Sequence, residues 1–474
     1  MKFTPNFVFS AILVFVAAAA PAFAQQGGVV TSGNATISNP TPTVTQINQT
    51  TEKAIIQWQD FSIQQGNTAV FNQPSATSIA LNRVTGNAPS SILGSLQANG
   101  QVWILNPNGI LFGANATINV GALVASTLSL SDHDFLSGQY KFLQDPSKPS
   151  SYVVNQGSVT ATSFAALIAP LVENSGSITS EGGQVYLLGT GEAVLDIAGT
   201  GLIGYTIGSV SGQTVHIRED ALSDVMKAAV NTGGLVEAGS IVDDGSGTIQ
   251  LVGAGGLSIN TGTISVSGSN GLSGGSVVMN STNATINTHR ASILADGSGL
   301  ASNGGTVLLL SNDDAYFRGT ISANAGTTGN GGFVEVSAPD NVWFLGTASG
   351  RAGTNGGVGG TLLVDPTVLT IFDGAGPNGL DANLAADGII LTTDANGNDG
   401  ISEQALEGAS FGSIILQATN AIVVDDLADD LLDFDNAVNG NVTLQVTTGA
   451  GAGITFADPN DVFDTTPGGD ASFT

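Results

Sequence analysis

The sequence contains no cysteine, and only 10% of its 474 residues are charged. Without cysteine there is no disulfide framework, so stability has to come from side-chain burial and backbone hydrogen bonding. With few charges, the polar surface has to be built from glycine, asparagine, threonine, serine and glutamine. Those residues suit turns, and stacked Asn or Thr side chains can form hydrogen-bonded ladders. The composition therefore suits stacked β-coils.

Basic residues are also scarce, with 10 Lys and Arg against 38 Asp and Glu. Nucleic acid is therefore not an expected partner, because few groups are available to neutralise phosphates. Residues 361–474 contain 18 Asp or Glu and no Lys or Arg. Such a segment usually provides solubility and self-repulsion. Binding of divalent cations is the alternative interpretation.

Sequence motifs of catalysis are missing. The three histidines, His133, His216 and His289, lie far apart and near no nucleophile motif. The sequence has no phosphate-binding loop or zinc-binding pattern. We expect no enzymatic activity, no catalytic residue, no cofactor and no metal site.

One long apolar run occurs, and it lies at the start of the chain. Lys2 precedes the apolar segment from Phe7 to Ala20, and Ala22-Phe23-Ala24 has the small-x-small form of a cleavage site. These features predict a signal peptide over residues 1–24, with the mature chain starting at Gln25. The segment is short for a membrane span. The protein is therefore expected to be secreted through the periplasm and to be soluble or bound at the cell surface.

A glycine-led repeat dominates the second half of the chain. Each unit begins with glycine and continues into a short β-rich run, and successive glycines are 28, 30, 27, 28, 28, 24 and 28 residues apart. A fixed period in this range indicates one structural unit stacked on copies of itself. The repeating glycines are Gly247, Gly275, Gly305, Gly332, Gly360, Gly388, Gly412 and Gly440.

The repeat predicts an all-β fold, a parallel β-helix in which each coil of about 28 residues holds three short strands. Aliphatic side chains from successive coils would form one internal column. Residues 25–60 are predicted to cap the N-terminal end, and residues 131–150 are predicted to leave the core. Asp220 to Val230 has the spacing of one short flanking helix, and Asp426 to Asp435 of a weaker one.

The segment Asn106-Pro107-Asn108-Gly109 predicts a turn, because proline fixes φ and glycine accepts positive φ. Ile110 follows it as the start of an apolar strand.

Two further predictions concern the surroundings of this turn. Arg83, which follows Asn82 in a β-rich run, is predicted to pair with an acid such as Asp60. Trp58, Phe61 and Phe71 are predicted to form an aromatic stack beneath the N-terminal cap.

Two other patterns have functional and structural interpretations. Asp394 to Ile401 resembles a calcium loop, but the glycine comes one place late and Glu403 too early, which favours a polar turn. Some parallel β-helices cleave acidic polysaccharides, and a carbohydrate-active enzyme of this kind is the alternative function. Its candidate residues are Arg290, Arg318 and Arg351, whose separations of 28 and 33 residues would stack them loosely.

A series of motifs in residues 58–128 resembles the N-terminal secretion domain of the filamentous haemagglutinin family. The most specific motif is Asn106-Pro-Asn-Gly-Ile-Leu-Phe-Gly113. The others, in chain order, are Trp58-Gln-Asp-Phe61, Val70-Phe-Asn-Gln-Pro74, Leu81-Asn-Arg-Val-Thr-Gly86, Ser91-Ile-Leu-Gly94, Ala98-Asn-Gly-Gln-Val102 and Val124-Ala-Ser-Thr-Leu128.

The resemblance implies a right-handed parallel β-helix that is exported by two-partner secretion in Gram-negative bacteria. It implies that a dedicated outer-membrane β-barrel transporter with periplasmic docking domains recognises the N-terminal domain. Asn82, Arg83 and Asn106 to Ile110 are then candidates for recognition or for shaping the domain. Absence of cysteine is compatible with passage through a pore, and equally with a solenoid that needs no disulfides.

Three segments and one role follow. Residues 1–24 are the signal peptide, residues 25–230 a two-partner-secretion-like domain, and residues 231–474 glycine-led coils with an acidic C-terminal part. The expected role is that of an adhesin or haemagglutinin-like interaction protein that binds a host or cell-surface receptor or glycan.

Overall fold

The computed structural model describes residues 25–148, 151–181, 183–197, 203–207, 230–232, 235–238, 247–254, 256–374, 400–434, 440–447, 453–465 and 470–474. The predicted signal peptide and residues 220–229 of the predicted flanking helix lie outside these ranges. Neither of the two helices in the described part of the chain has the length and apolar character of a membrane span.

Antiparallel strands close the N-terminal end of the fold. β1 (Gln25–Gln26) pairs with β6 (Asp60–Phe61), β2 (Val29–Ser32) with β5 (Lys53–Trp58), and β3 (Ala35–Thr41) with β4 (Val44–Gln49). On their other edges, β4 and β5 pair in parallel with β7 (Thr68–Asn72) and β8 (Ile79–Val84). The predicted cap is confirmed, since these strands cover the edge of the first coil.

Behind the cap, the strands stack as three parallel ladders, so that the chain forms a parallel β-helix. The first ladder, which holds the glycine-led segments, continues from β5 and β8 with β11 (Gln101–Leu105), β13 (Thr117–Ser126), β16 (Ser158–Ala169), β19 (Gln184–Gly189), β24 (Thr248–Gly253), β27 (Ser276–Ser281), β30 (Thr306–Ser311), β33 (Phe333–Ser337), β36 (Thr361–Asp365), β39 (Ser413–Ala418), β42 (Asn441–Val446) and β45 (Ala471–Phe473).

The second ladder follows the first in each coil. It contains β9 (Ser90–Ile92), β12 (Ile110–Phe112), β15 (Tyr152–Asn155), β17 (Leu171–Asn174), β22 (Val230–Thr232), β25 (Leu257–Asn260), β28 (Ala284–Asn287), β31 (Asp314–Phe317), β34 (Asn341–Phe344), β38 (Gly400–Ser402), β37 (Val368–Phe372), β40 (Ala421–Val424) and β43 (Gly453–Phe456).

The third ladder begins with β4 and β7 and shares the long strands β13 and β16 with the first. Its other members are β10 (Ser95–Ala98), β18 (Ser177–Ser180), β23 (Leu235–Ala238), β26 (Thr263–Ser265), β29 (Ser292–Leu294), β32 (Thr320–Ser322) and β35 (Thr347–Ser349). Near the C-terminus, β41 (Leu431–Asp433) pairs in parallel with β44 (Val462–Asp464).

The interior is a continuous column of aliphatic side chains, as predicted. In the first ladder, alternate residues point inward, so Val277, Val307 and Val334 lie above one another and are fully buried. Alternation arises because successive side chains in a strand point to opposite faces. The column is therefore a direct consequence of placing the same β-rich pattern on each coil.

The spacing of the glycines has a steric cause. Gly332 lies against the preceding turn, and a Cβ atom there would be 2.0 Å from the carbonyl oxygen of Gly305. Gly360 meets the Gly332 carbonyl in the same way, at 1.9 Å. Adjacent coils approach so closely at this corner that a side chain has no room. Glycine is therefore the residue that lets the coils stack here.

The described residues 131–148 of the predicted excursion leave the solenoid, as predicted, and cover its flank. Helix α1 (Asp132–Ser137) is followed by β14 (Tyr140–Leu143), which pairs antiparallel with β20 (Glu192–Ile197). β21 (Ile203–Ile207) completes this small sheet. The excursion covers outward apolar side chains and forms a second core, whose members include Trp103, Phe135, Phe142, Phe164 and Tyr186.

Two predicted elements are wrong. The weaker helix from Asp426 to Asp435 is instead a turn that leads into strand β41, and Leu427 and Leu432 are buried in the column. A short helix occurs earlier, α2 (Glu403–Glu407), with Ser402 as its N-cap. The predicted helical face of Leu427, Leu431 and Phe434 does not form, because Leu431 is only partly buried and its neighbour in the strand, Leu432, is buried instead.

The predicted coil led by Gly388 is the second error. Gly388 lies outside the described residues, but Thr361 of β36 pairs directly with Ser413 of β39. In the second ladder, β38 lies between β34 and β37 although it follows β37 in sequence. The coil that starts at Gly412 therefore stacks directly on the coil that starts at Gly360.

Candidate recognition site in the N-terminal coils

The turn that follows β11 is built around a buried asparagine. The Asn106 side chain is inaccessible to solvent, and its Nδ2 atom donates to the Ala88 carbonyl and to Ser90 Oγ, both at 3.0 Å. Its Oδ1 atom accepts from the backbone N and the Nδ2 atom of Asn108, at 3.0 and 2.9 Å. The amide group therefore uses both donor hydrogens and its oxygen inside the protein.

The rest of the turn follows the predicted geometry. The Gly109 amide donates to the Asn106 carbonyl at 3.1 Å, and Gly109 has a φ of +121°. Pro107 and Asn108 are partly exposed, whereas Ile110 begins β12 and is fully buried. Asn108 Nδ2 also donates to the Gly86 carbonyl at 2.9 Å, which ties the turn to the coil below.

Asn82 lies inside the aliphatic column, stacked between Ile56 and Ile104. Its Oδ1 atom accepts a hydrogen bond from Trp58 Nε1 at 2.9 Å, and its Nδ2 atom donates to two carbonyls. Trp58 in turn packs edge-on against Phe61, with ring centroids 5.4 Å apart, and Phe61 lies 6.4 Å from Phe71. The predicted aromatic stack is confirmed, and a buried amide anchors it.

Arg83 pairs with a different acid from the one predicted. Its Nη1 atom donates to Asp132, and its Nη2 atom donates to the Leu130 carbonyl at 2.6 Å. The prediction of Asp60 is wrong, because Asp60 accepts from the Ser62 hydroxyl and Arg83 points toward the excursion. The arginine therefore holds the start of helix α1 against the solenoid.

Lys53 does the same for the end of α1, which sequence reasoning missed. Its Nζ atom donates to the Phe135 and Leu136 carbonyls at 2.8 and 3.2 Å, where the helix ends. The ammonium also lies 5.2 Å from the ring centroid of Tyr140. A cation at a helix C-terminus is stabilised by the carbonyls exposed there. The contact joins residues 82 and 83 positions apart, so no local pattern signals it.

A second feature that the sequence did not reveal is an exposed face of amides. β4, β7, β10 and the first half of β13 present it and contain no charged residue. Asn72 Nδ2 donates to Asn48 Oδ1 at 2.7 Å, and a shallow groove runs along Asn72 and Asn99 to Asn119. This amide face consists of the outward side chains of Gln46, Asn48, Asn72, Gln97, Asn99 and Asn119.

Comparison with known families identifies the domain. The TPS secretion domain model matches residues 22–266, slightly more than half of the chain. The chain belongs to the TPS secretion domain family. Proteins with this domain are exoproteins that cross the outer membrane through a partner transporter. Two-partner secretion is therefore the export route of the family to which this chain belongs.

Relatives agree with this assignment. A Heme/hemopexin-binding protein of Haemophilus influenzae is 31% identical over 234 residues, which are 48% of this chain and 24% of the relative. A second protein of that name is 39% identical over 125 residues. The crystal structure of the HMW1 secretion domain from Haemophilus influenzae matches with a TM-score of 0.54 and 25% identity, over 72% of this chain and 95% of that one. This chain spans about a quarter of the first relative's length.

The residues considered for a polysaccharide site do not share one position. Arg318 lies in the turn between β31 and β32, whereas Arg351 follows β35 and donates to Ser410 Oγ at 3.3 Å. Arg290 lies in the same turn as Arg318 on the adjacent coil, between the second and third ladders. Arg351 belongs to a different corner of the coil, so the predicted stack of all three arginines is wrong. Residues 394–399 of the calcium-like loop lie outside the described residues.

Several carboxylates in the later coils have raised pKa values. Burial raises the pKa of Glu403 and of Glu407 in helix α2, and neighbouring carboxylates raise both further. Burial also raises the pKa of Asp365, followed by the charge of Glu335 on the adjacent strand. Each rise in pKa has the same cause: the carboxylate is partly buried, and the charged groups near it are other acids.

Proposed function

We propose that this chain is a secreted extracellular interaction protein and that its N-terminal coils form the address read by its partner transporter. The observation that carries the proposal is the match to the TPS secretion domain over residues 22–266. The described strands in that range form a capped unit with its own polar network. Cleavage after Ala24 and a domain boundary near residue 230 remain parts of the proposal.

The asparagines of the sequence motifs are proposed to shape the domain. Asn82 and Asn106 are both fully buried, and each satisfies its amide group within the protein. A side chain in such a place has no surface to offer a transporter. Loss of either amide would leave buried partners unpaired, and the coils around it would lose their shape.

The amide face is the proposed contact surface. Four of its six amides are exposed and the other two, Gln46 and Asn48, are half-buried; it contains no charge and extends over four neighbouring strands. Amides donate and accept hydrogen bonds, so they suit recognition of backbone or polar side chains by periplasmic docking domains. Arg83 and Lys53 belong instead to the attachment of the excursion.

Export assays test both roles. The chain is expressed with and without its cognate transporter, and protein in the medium is measured for the wild type, Asn106→Ala and the pair Asn72→Ala with Asn119→Ala. We expect export to require the transporter. We expect Asn106→Ala to reduce both export and thermal stability. The double variant Asn72→Ala with Asn119→Ala should reduce export without reducing thermal stability.

The matched control is Asn283→Ala, an exposed amide beyond residue 266. It should leave export unchanged. Equal secretion without the transporter would refute the export proposal. Full export of the Asn72 and Asn119 double variant would refute the amide face as the contact.

Binding of heme or hemopexin is a second candidate, favoured by the names of the two relatives. The longer of the two matches includes only 24% of its relative, so that activity is not transferred with it. Titration of the chain with hemin, followed by its absorption spectrum, separates this candidate from a receptor- or glycan-binding adhesin. The polysaccharide enzyme predicted as an alternative is not proposed further.

A further inference from the structure

The outer surface of the first ladder is apolar in the N-terminal coils and is covered there. Trp103, Val124, Ala166 and Tyr186 occupy one register position of successive coils, and all four are buried in the second core. Helix α1, β14 and β20 contribute the side chains that cover them. Tyr140, for example, lies with its ring centroid 4.7 Å from that of Trp103. This surface of the ladder therefore serves as a packing surface within the chain.

The cover ends at Val252, which is the last residue of the first ladder in the second core. Beyond it, the outward side chains of β27, β30, β33, β36 and β39 are partly exposed and alternate with the buried residues of the column. The apolar residues among them form the outer apolar face: Val278, Leu308, Leu310, Phe333, Leu363 and Ile415.

Stacking makes the outer apolar face continuous. Val278 pairs with Leu308, and Leu363 pairs with Ile415, at the register position that Trp103 occupies in the covered coils. Adjacent strands lie about 4.8 Å apart, so these side chains are direct neighbours. A contiguous apolar surface of this kind marks an interaction site, whereas single exposed apolar residues do not.

The charges on this surface are acidic. Glu335 lies between Leu308 and Leu363, and Asp365 lies one strand further along. The outward positions of the first ladder from β24 to β39 contain no Lys or Arg. Burial raises the pKa of Asp365, and the charge of Glu335 raises it further. A basic group beside the two carboxylates would stabilise their charged forms.

A groove of about 300 Å³ adjoins Asp365 at the edge of the outer apolar face. Its walls include Leu310, Ser337 and Pro366, and Gln417 Nε2 donates to Asp365 Oδ2 at 3.2 Å. Lys and Arg side chains combine an apolar stem with a charged end. The groove therefore suits such a side chain, with its stem against Leu310 and Pro366 and its charge at Asp365.

We propose that the outer apolar face binds a basic amphipathic segment of another protein. Its apolar side would lie on Leu308 and Leu363, and its Lys or Arg side chains would reach Glu335 and Asp365. Amphipathic segments commonly bind apolar surfaces in this way. The inference deepens the proposed role of the chain as an extracellular interaction protein and rests on it.

The covered coils support this choice of partner. Arg83 occupies the register position that Asp365 occupies in the later coils, and it pairs with Asp132 of the covering helix. A base on the ladder thus meets an acid on the cover, and an acid on the ladder requires a base. A second copy of this chain fits less well, because it would bring its own Glu335 and Asp365 to the same surface.

Binding of a defined peptide to the purified full chain tests the proposal. The probe is a fluorescent synthetic peptide of leucine and lysine, about 18 residues long, whose apolar and basic residues fall on opposite sides of a helix. One comparison peptide has the same composition in an order that gives no apolar side, and another has glutamate in place of lysine. Fluorescence anisotropy at neutral pH measures the dissociation constants. We expect the probe to bind at least about tenfold more tightly than either comparison peptide.

Two double variants separate the apolar and the charged contributions. Leu308→Ser with Leu363→Ser should weaken binding of the probe at least about tenfold, at low and at high salt. Glu335→Gln with Asp365→Asn should weaken binding at low salt and have little effect at high salt, because salt screens the charges. Thermal unfolding of each variant shows whether it is folded, and the carboxylate variant keeps the test valid if the leucine variant unfolds.

Matched controls lie elsewhere on the surface. Leu300→Ser changes an apolar residue that is 70% exposed, and Asp426→Asn with Asp470→Asn removes two exposed acids on other coils. Both controls should bind the probe like the wild type. Equal binding of the two lysine peptides would overturn the proposal, because it would assign binding to net charge alone.

Two further results would also overturn it. One is unchanged binding of the probe in the folded Leu308 and Leu363 variant. The other is a dimer of the wild type in sedimentation, lost in that variant, without any binding of the probe, which would assign the face to a second copy. The substituted residues lie outside residues 22–266, so both double variants should be exported like the wild type. A failure of export is therefore distinguishable from a failure of binding.

Discussion

The N-terminal coils and the C-terminal coils share one backbone plan but satisfy their polar groups differently. In the N-terminal coils, Asn82 and Asn106 find partners within the chain, and Arg83 and Lys53 attach a covering excursion. In the C-terminal coils, acids lie beside acids: Glu407, Asp429 and Asp373 lie near Glu403, and one buried oxygen of Glu403 has no hydrogen-bond partner. Neutral amides and attached bases are therefore characteristic of the N-terminal coils, whereas carboxylates beside other carboxylates are characteristic of the C-terminal coils.

The difference follows from the groups that each region contains. Neutral amides both donate and accept, so a stack of amides can satisfy itself. Asn155 and Asn174 illustrate this, since the first donates to the second at 2.8 Å across adjacent coils. Ionised carboxylates only accept, so a stack of carboxylates needs a proton, a metal ion or a base from elsewhere. The same repeat geometry thus gives cohesion in one region and repulsion in the other.

Trp103→Ala should have the largest effect and should be confined to the N-terminal coils. Trp103 is fully buried in the second core, with its ring centroid 4.7 Å from that of Tyr140. We expect a loss of about 3–5 kcal/mol in the free energy of unfolding of this region. Chemical denaturation followed by hydrogen exchange measures it. Unchanged protection of β11 and β14 would contradict the role of the excursion as a second core.

Two tryptophans offer a matched pair with a smaller effect. Trp58 Nε1 donates to buried Asn82, whereas buried Trp343 Nε1 has no hydrogen-bond partner. Trp58→Phe should lower the free energy of unfolding by about 1–3 kcal/mol, because it leaves the Asn82 oxygen unpaired. Trp343→Phe should lower it by less, because no hydrogen bond is lost. Denaturant titration of both variants gives the comparison. Equal costs would show that the hydrogen bond contributes little.

Mild acid should stabilise the C-terminal coils more than the N-terminal coils, in which burial raises the pKa of Glu173. The folded-state pKa values of Asp365, Glu403 and Glu407 lie above the ordinary values of 3.8 and 4.5. The folded state therefore binds protons more tightly, and stability rises as pH falls from neutral through the raised values toward the ordinary ones. Hydrogen exchange of β39 and β40, corrected for intrinsic rates, measures this. Glu403→Gln should flatten the dependence, and a loss of protection in acid would contradict it.

Monovalent salt should produce the smallest effect, with opposite signs in the two regions. The Arg83–Asp132 pair is partly exposed, with side-chain accessibilities of 22% and 48%, so Arg83→Ala should cost about 0.5–1 kcal/mol at low salt. High salt should reduce that cost, while it stabilises the acidic coils by screening their repulsion. Melting curves of the wild type and Arg83→Ala at low and high salt test both signs. A uniform shift of both regions would mean that their charges do not differ in effect.

The β-helical repeat could be predicted from the sequence because the residues that produce each coil lie close together along the chain. Glycine before a run of alternating aliphatics fixes a turn and an inward face, and repetition stacks them. Contacts of residues that do not recur at a regular spacing were harder to predict. The excursion places Lys53 beside Phe135 and Arg83 beside Asp132, and neither pair has a signal in the sequence. The strand order around β38 was likewise hidden, because the chain inserts a later strand beneath an earlier one.

The β-helix, the capped start, the aromatic stack and the turn at Asn106 could be predicted from the amino-acid sequence, because each depends on residue types at short or regular spacing. The burial of Asn82 and Asn106 and the acid that pairs with Arg83 became known only from the folded chain. Those outcomes depend on how two coils or an excursion lie against each other in space. Loops of unequal length give no regular spacing along the chain from which such contacts could be predicted, so the side chains that meet are seen only in the folded molecule.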